Sequence, residues 1–209
     1  MDATTEVHLI RDEAALTELY GAPSPGAIAK EVNYLHPHYQ AMIAASPFMA
    51  LATSGPDGLD VSPRGDPAGF VAVADDRTLL IPDRRGNNRV DSLRNIVHDP
   101  RVALLFLIPG VGETLRVNGR ADISVRPDLL QRFAFRDTLP RSVIVVHVET
   151  VYFQCPKALV RSELWNPERH VARRSLPSTG TILAEVSAGK VGGAQYDRDY
   201  PERLRQTLY

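Results

Sequence analysis

The chain has 209 residues, of which 44% are hydrophobic and 23% are charged, and its formal net charge is −1. These values are typical of a globular protein that can bury a sizeable core. They argue against a general binder of nucleic acid or of anionic membranes, since such a protein needs a large basic surplus.

The first part of the chain, residues 1–46, favours short helices. Asp12 to Tyr20 is an amphipathic segment, and Ala27 to Leu35 and His38 to Ala45 are predicted as two further helices that are interrupted at Pro37. We therefore expect an N-terminal helical segment that packs on the domain after it.

From Phe48 onward the pattern changes to that of strands. Strands at 48–53 and 59–62 flank a Gly-Pro-Asp-Gly turn, which predicts a β-hairpin, and a second hairpin is predicted across 69–81. The elements predicted after them are a helix at Arg89–Val97, strands at Arg101–Ile108 and Glu113–Val125, a helix from Arg126 to about Phe135, a strand at Ser142–Phe153 and a short helix or turn at Cys155–Leu164.

Successive hairpins indicate an antiparallel barrel or sandwich, and no G-x-G-x-x-G follows a strand to support a dinucleotide fold. The predicted fold class is mostly β with α (α+β), with one barrel or sandwich domain at residues 47–166. Residues 167–209 are polar and irregular, with helical segments at 184–188 and near 200–208, and are assigned as an extension of the same domain.

The basic residues comprise three lysines and 21 arginines. Genomic base composition accounts for such a bias, and so does a need to grip phosphate or carboxylate groups, so only position can separate the two. The single cysteine, Cys155, permits no internal disulfide, and neither a signal peptide nor a membrane-spanning stretch is recognised. We expect a cytoplasmic protein.

The most informative segment is Ile81-Pro-Asp-Arg-Arg-Gly-Asn-Asn-Arg89, between a predicted strand and a predicted helix. Helix N-termini favour anions, Asn87 or Asn88 is a good N-cap, and the three arginines complete a plausible phosphate cradle. A solvated turn with surface arginines is the alternative. Within the segment, Asn88 and Arg89 are preferred for the phosphate.

Three other segments carry polar groups that could reach a ligand. In Asp60-Val-Ser-Pro-Arg-Gly-Asp66, Arg64 could bind an anion or pair with a neighbouring aspartate. In 113–120, strand alternation places Thr114, Arg116 and Asn118 on one face, which lines a pocket or faces water. In 155–166, Lys157 and Arg161 share a helix face and Trp165 borders either a ligand or the core.

Motifs for other chemistry are weak. His36 and His38 lack further metal-ligand types at a suitable spacing, so no metal site is predicted. No nucleophile-elbow motif supports Ser-His-Asp catalysis, and no side chain is assigned as catalytic.

Taken in order, these segments resemble the pyridoxamine 5'-phosphate oxidase-like family of FMN-binding split-barrel proteins. The likeness runs from about Ser46 to Trp165. It rests on Ser-Pro-Arg64, on the strand, Arg/Asn loop and helix of 79–95 followed by Asp99-Pro-Arg-Val-Ala-Leu-Leu-Phe106, and on Leu-Arg-Val-Asn-Gly-Arg120. The stretch 155–165 resembles an uncharacterised subgroup.

The resemblance implies an antiparallel split β-barrel flanked by helices, and a homodimer with two FMN molecules at the subunit interface. By position, the residues implied along the ribityl chain, phosphate and ring are Val61, Ser62, Arg64, Pro82, Asp83, Asn88, Arg89, Thr114 and Arg116. The resemblance also implies that three residues after the last strand reach a cofactor across the interface, namely Lys157, Arg161 and Ser162.

Two departures argue against vitamin B6 oxidation: the tail lacks the Arg-Leu-x-Pro close of the authentic oxidases, and their Lys-rich phosphate loop is Arg/Asn here. The favoured function is an FMN-dependent oxidoreductase of a small molecule, in which the flavin does most of the chemistry. The alternatives are a deazaflavin-dependent reductase and a flavin- or haem-binding carrier or sensor without turnover.

Overall fold

The computed structural model describes residues 8–209. Its β-strands are β1 (Phe48–Gly55), β2 (Gly58–Gly65), β3 (Ala72–Asp75), β4 (Thr78–Asp83), β5 (Arg101–Leu107), β6 (Thr114–Ser124) and β7 (Ser142–Gln154). Its α-helices are α1 (Glu13–Tyr20), α2 (Pro25–Ala29), α3 (Pro37–Ala45), α4 (Asp91–His98), α5 (Pro127–Arg132), α6 (Lys157–Ser162), α7 (Thr179–Val186) and α8 (Gly193–Gln206).

All seven strands form one antiparallel sheet in the order β2-β1-β5-β6-β7-β4-β3. The two edge strands of this sheet, β2 and β3, are not neighbours, so the sheet is not closed. The predicted fold class is therefore confirmed as an α+β protein of the split-barrel type.

The main core lies on one face of the sheet, and a smaller buried cluster of Leu80, Val143 and Phe133 lies on the other face at β4 and β7. Strand alternation buries Met49 and Leu51 of β1 together with Leu104 and Phe106 of β5, and α4 adds Ile96 to the same cluster. Burial of such side chains contributes roughly 1.5–3 kcal/mol each. The packing of α4 on β1 determines where the loop before α4 lies relative to the sheet.

The opposite face of β2, β1 and β5 is apolar and exposed. Phe48, Leu59, Val61 and Leu105, here called the outer face, are between 38% and 89% exposed. Small residues of β1 and β5, Ala52 paired with Ala103, lie between them. This part of the sheet therefore has a solvent-facing surface without the polar residues that alternation usually places there.

Two predictions in the N-terminal helical segment differ from the structure. The helix predicted at Ala27–Leu35 ends at Ala29, because the chain extends at Val32 to bridge Val151 of β7. Pro37 was expected to interrupt two helices, but it is the first residue of α3, because a proline fits the first turn of a helix.

The tail is more ordered than predicted. It contains α7 and α8, which pack against each other, where two shorter helical segments were expected. The division into residues 1–46, 47–166 and 167–209 stays a prediction, and residues 1–7 of its first segment lie outside the described residues. No helix within 8–209 is long and apolar enough to cross a membrane.

Candidate functional site

A cleft of about 500 Å³ opens beside the edge strand β2. Its walls are β2, the end of β4, the loop 84–90 and the first turn of α4. These elements meet because α4 packs on β1, the hairpin partner of β2. The lining residues are Asp60 to Gly65, Phe70 and Pro82 to Leu93.

Arg64 extends from β2 into this cleft. Its Nη1 donates to Asp83 Oδ1 at 2.6 Å, and both side chains are less than 20% exposed. The other alternative for Arg64, pairing with Asp60 or Asp66, is not what the structure shows. Arg64 Nε is buried and has no hydrogen-bond partner within the described part of the chain.

Residues 8–209 contain a second buried polar atom without a hydrogen-bond partner, and its residue is a neighbour of Asp83, as Arg64 is. It is Oγ of Ser142, which pairs with Asp83 in the register of β4 and β7. Buried polar groups are normally satisfied, and an unsatisfied one costs about 1–3 kcal/mol. Both atoms without a partner therefore belong to residues next to Asp83, and of these two residues Arg64 is the one that lines the cleft.

The three arginines of the loop have different surroundings. Arg84 Nε donates to Asp66 Oδ2 at 2.7 Å and its Nη1 donates to the Phe133 carbonyl at 2.7 Å. Arg89 Nε donates to Asp91 Oδ2 at 2.7 Å, and this hydrogen bond raises the pKa of the guanidinium. Arg85 is exposed and has neither a hydrogen bond nor an ion pair with another residue of 8–209.

The helix start lies later than predicted. Helix α4 begins at Asp91, its N-cap is Val90 with φ 53°, and the apolar Val90 side chain cannot cap the first turn. The prediction that Asn87 or Asn88 is the N-cap is therefore wrong. Asn87 Oδ1 accepts instead from the Arg89 backbone N–H at 3.0 Å, and Asn88, with φ 61°, accepts from Arg141 Nη1 at 3.2 Å.

A helix start without a side-chain cap keeps backbone N–H groups free for another acceptor. These groups carry partial positive charge and favour an anion. The next side chain, Ser92, is buried, and its hydroxyl makes only a long contact of 3.5 Å to Asp60 Oδ2. The first turn of α4 thus presents a hydroxyl and backbone donors at one wall of the cleft.

Seven of the twelve predicted site residues line this one cleft. They are Val61, Ser62, Arg64, Pro82, Asp83, Asn88 and Arg89. Five do not line it: Thr114, Arg116, Lys157, Arg161 and Ser162.

The five outlying residues lie on two other elements. Thr114 is buried at the start of β6, and the Arg116 guanidinium stands 5.0 Å from the ring centroid of Tyr152. Lys157, Arg161 and Ser162 lie on α6, exposed or nearly so. Their assignment to a cofactor stays a prediction.

Some residues at the site carried too weak a sequence signal to be chosen. Asp60 lies two residues before Ser62 and on the same face of β2, and Ser92 is the second residue of α4. Strand and helix periodicity could therefore have indicated both. Arg141 immediately precedes β7 and had no motif. Tyr209 Oη donates to Asp66 Oδ1 across 143 positions of sequence, and no local pattern indicates such a contact.

Comparison with known proteins identifies a family. The model for pyridoxamine 5'-phosphate oxidase matches residues 35–155, which is more than half of the chain. No curated protein sequence matches the chain.

Three solved structures are similar to a part of the chain. The HupZ protein of Group A Streptococcus is 17% identical, with a TM-score of 0.46 over 56% of this chain and 90% of its own. A candidate pyridoxamine 5'-phosphate oxidase from Lactobacillus delbrueckii is 21% identical, with a TM-score of 0.45 over 58% and 95%. An FMN-binding protein from Syntrophomonas wolfei is 13% identical, with a TM-score of 0.44 over 55% and 82%.

Proposed function

The chain belongs to the pyridoxamine 5'-phosphate oxidase family, and we propose that it is an FMN-binding oxidoreductase that passes electrons or hydride between the flavin and a small molecule. The cleft beside β2 is the proposed FMN site. The observation that carries this proposal is Arg64, which lines the cleft and whose buried Nε has no hydrogen-bond partner among residues 8–209. A small movement of this side chain would present the donor to a phosphate or ribityl oxygen.

The donors around the cleft fit a phosphate. Arg64, Asn88 and Arg89 supply guanidinium and amide N–H groups, and the first turn of α4 adds backbone donors. Ser62 offers a hydroxyl to the ribityl chain, with Val61 beside it. Pro82 and Asp83 would contact the ring through backbone groups.

The charges in the cleft decide which arginine is available without rearrangement. Arg64 is neutralised by Asp83 and Arg89 by Asp91, so a phosphate would compete with a carboxylate at each of them. Arg85 has no such competitor in the described structure and lines the same cleft. We therefore add Arg85 to the predicted phosphate ligands.

Bound FMN would supply the redox chemistry, and the protein would supply binding, orientation and electrostatics. Asp83 and Asp91 are each engaged by an arginine, so the proposal assigns neither of them a proton transfer. The chain's contribution is to hold the cofactor through its phosphate and to shape the wall against which a substrate packs.

The second part of the proposal is a homodimer. The outer face is apolar, exposed and continuous over three strands, as expected for a surface that a second copy covers. Val61 belongs to this face and also lines the cleft, so a partner seated there would border the cofactor. That partner would bring Arg116, Lys157 or Arg161 of its own chain to the site.

Reconstitution tests the function. The protein is incubated with FMN, freed of excess flavin by gel filtration, and measured for absorbance at about 450 nm, a property of flavins generally. We expect one FMN per chain in a dimer, and reduction followed by reoxidation with a small-molecule acceptor. A colourless monomer would contradict the proposal.

Two further measurements on the same sample distinguish the rival functions from the proposed one. Displacement of FMN by a deazaflavin or by haem at lower concentration would point to one of those cofactors instead. Tight retention of FMN with no reoxidation by any acceptor would identify a carrier or sensor.

A further inference from the structure

Tyr209 joins the C-terminal segment to the wall of the cleft. Its hydroxyl donates to Asp66 Oδ1 at 2.7 Å, and its ring lies 4.6 Å from that of Phe135 at an interplanar angle of 34°. The guanidinium groups of Arg84 and Arg136 stand 5.9 Å from the centroid of the same ring. The tyrosine is thus held by a hydrogen bond, a ring contact and two cations.

Asp66 connects Tyr209 to the arginine loop. The Asp66 side chain is 3% exposed, and while one of its oxygens accepts from Tyr209, the other accepts from Arg84 Nε at 2.7 Å. A buried carboxylate needs such partners, since an unpaired charge in the interior is costly. Both contacts are therefore expected to persist together.

Arg84 is the first residue of the loop that lines the cleft. It lines both the cleft and a neighbouring cavity of about 210 Å³. The cavity is lined by Arg84, Arg85, Thr138, Leu139, Pro140, Arg141 and Tyr209. Tyr209 therefore lines a cavity that shares Arg84 and Arg85 with the cleft.

The turn at Phe135–Thr138 is the other structure against which Tyr209 packs. Phe135 and Thr138 exchange two backbone hydrogen bonds of 2.9 Å, and the residues between them, Arg136 and Asp137, have φ of 47° and 60°. Such values are unfavourable for residues other than glycine and persist where neighbouring contacts hold them. Stacking on Tyr209 supplies one of those contacts.

The segment that carries Tyr209 is a helical hairpin. Asp197 of α8 accepts from the Gly180 backbone N–H of α7 at 2.7 Å, which ties the two helices together. None of the residues of α8 is buried. The hairpin is therefore anchored by contacts such as that of Tyr209 and not by a core of its own.

We propose that Tyr209 is a positioning residue for the cofactor loop: through Asp66 it fixes Arg84, and with it the course of residues 84–90. The inference rests on the proposed FMN site for its functional meaning. Its structural content, a coupling between the C-terminal segment and the loop, holds for the FMN-free protein as well. Coupling is reciprocal, so FMN at the loop protects the C-terminal segment as much as that segment favours FMN.

The test uses three variants of the full chain. Tyr209→Ala removes the ring and the hydroxyl, Tyr209→Phe removes the hydroxyl alone, and Tyr20→Ala removes a tyrosine of α1 that is 77% exposed. Amide hydrogen exchange is followed at 84–90, 133–138 and 203–208 with and without FMN. FMN affinity is measured by fluorescence quenching.

We expect Tyr209→Ala to speed exchange at 84–90 and 133–138, to weaken FMN about fivefold, and to abolish the protection that FMN gives to 203–208. Tyr209→Phe falls between it and the wild type, and Tyr20→Ala matches the wild type. A merely structural role would leave the FMN-dependent protection of 203–208 intact, or would spread faster exchange to β6 and β7, and either result overturns the inference.

The two proposals can fail separately. If the wild type binds no FMN, the proposed function fails, and the exchange of the FMN-free variants still decides the coupling. Unchanged exchange at 84–90 in FMN-free Tyr209→Ala overturns the coupling whether or not FMN binds.

Discussion

Arg84 and Arg89 stand at the two ends of one short loop, and each pairs with an aspartate through Nε at 2.7 Å. The Arg84 side chain is 19% exposed and Asp66 is 3% exposed, whereas Arg89 is 74% exposed and Asp91 40%. Arg84 also bonds the Phe133 carbonyl and lies near two aromatic rings. Within residues 8–209, the Arg89 side chain forms a hydrogen bond only with Asp91, two residues along the chain.

Equal distances thus accompany different physical roles. A buried pair is expensive to break because the remaining charge has no water, while an exposed pair contributes about 0–1 kcal/mol and is screened by salt. Arg84 is suited to anchor the loop. Arg89 can exchange its aspartate for a phosphate at little cost, so the exposed end is the one suited to bind.

The largest expected effect comes from breaking the buried end. Arg84→Ala leaves the Asp66 carboxylate without its cation and should lower the free energy of unfolding by about 3 kcal/mol. Urea denaturation measures it. Arg85→Ala is the matched control, because Arg85 is exposed and has no ion pair within the described part of the chain, and it should change stability by less than about 0.5 kcal/mol. Equal stability of the two variants would remove the distinction between anchor and ligand.

Arg64→Ala should have the largest effect on the cofactor. The variant loses the guanidinium whose Nε lacks a partner, and FMN should bind about 2 kcal/mol more weakly, roughly 30-fold. Isothermal titration calorimetry measures this difference. Arg64→Lys keeps the charge and loses the forked geometry, so it should recover only part of the affinity; full affinity of Arg64→Ala would argue against this site.

Arg89→Ala should weaken FMN less, about fivefold, because Arg89 must first leave Asp91. Its urea midpoint should match that of the wild type, since the side chain is exposed. Since the site is exposed, the loss in affinity should shrink as salt is raised. A loss independent of ionic strength would place Arg89 in a buried contact instead.

The smallest expected effect is the pH dependence of the contact between Tyr209 and Asp66. The hydrogen bond to Asp66 raises the pKa of Tyr209, helped by burial and by the charge of that carboxylate. A raised pKa means that the stabilisation is complete below the ordinary tyrosine value of about 10 and is lost as pH rises through the folded value. The tail should therefore stay attached at neutral pH and loosen only in alkali, as limited proteolysis against pH can report; Tyr209→Phe, which has no proton to lose there, should show no such step.

The sequence predicts those parts of the structure that depend on interactions between residues close together in the chain. Strand alternation and turn residues are local, so the hairpins at β1–β2 and β3–β4 and the strands β5 to β7 were predicted within a few residues. The same alternation brought Ser62 and Arg64 to one cleft with Asp83 and the loop after it. The start of α4 was misjudged because Asn88 and Val90 both adopt left-handed backbone conformations, which propensity does not predict.

The anchoring role of Arg84 could not be predicted. The local sequence favoured Arg89 for the phosphate because it lies at the predicted helix start, but no local pattern indicated that Arg84 bonds Asp66 and Phe133 and lies near the distant Tyr209. Such partners are fixed by tertiary packing. Composition left both surface decoration and phosphate binding open, and the structure shows one loop with a buried ion pair at one end and an exposed ion pair at the other.

The most direct test of the proposed site compares FMN with riboflavin, which lacks the phosphate, on the wild type and on Arg64→Ala. If the cleft holds the phosphate, FMN should bind the wild type at least tenfold more tightly than riboflavin, and most of that advantage should disappear in Arg64→Ala. Equal affinity of the wild type for FMN and riboflavin would contradict the account.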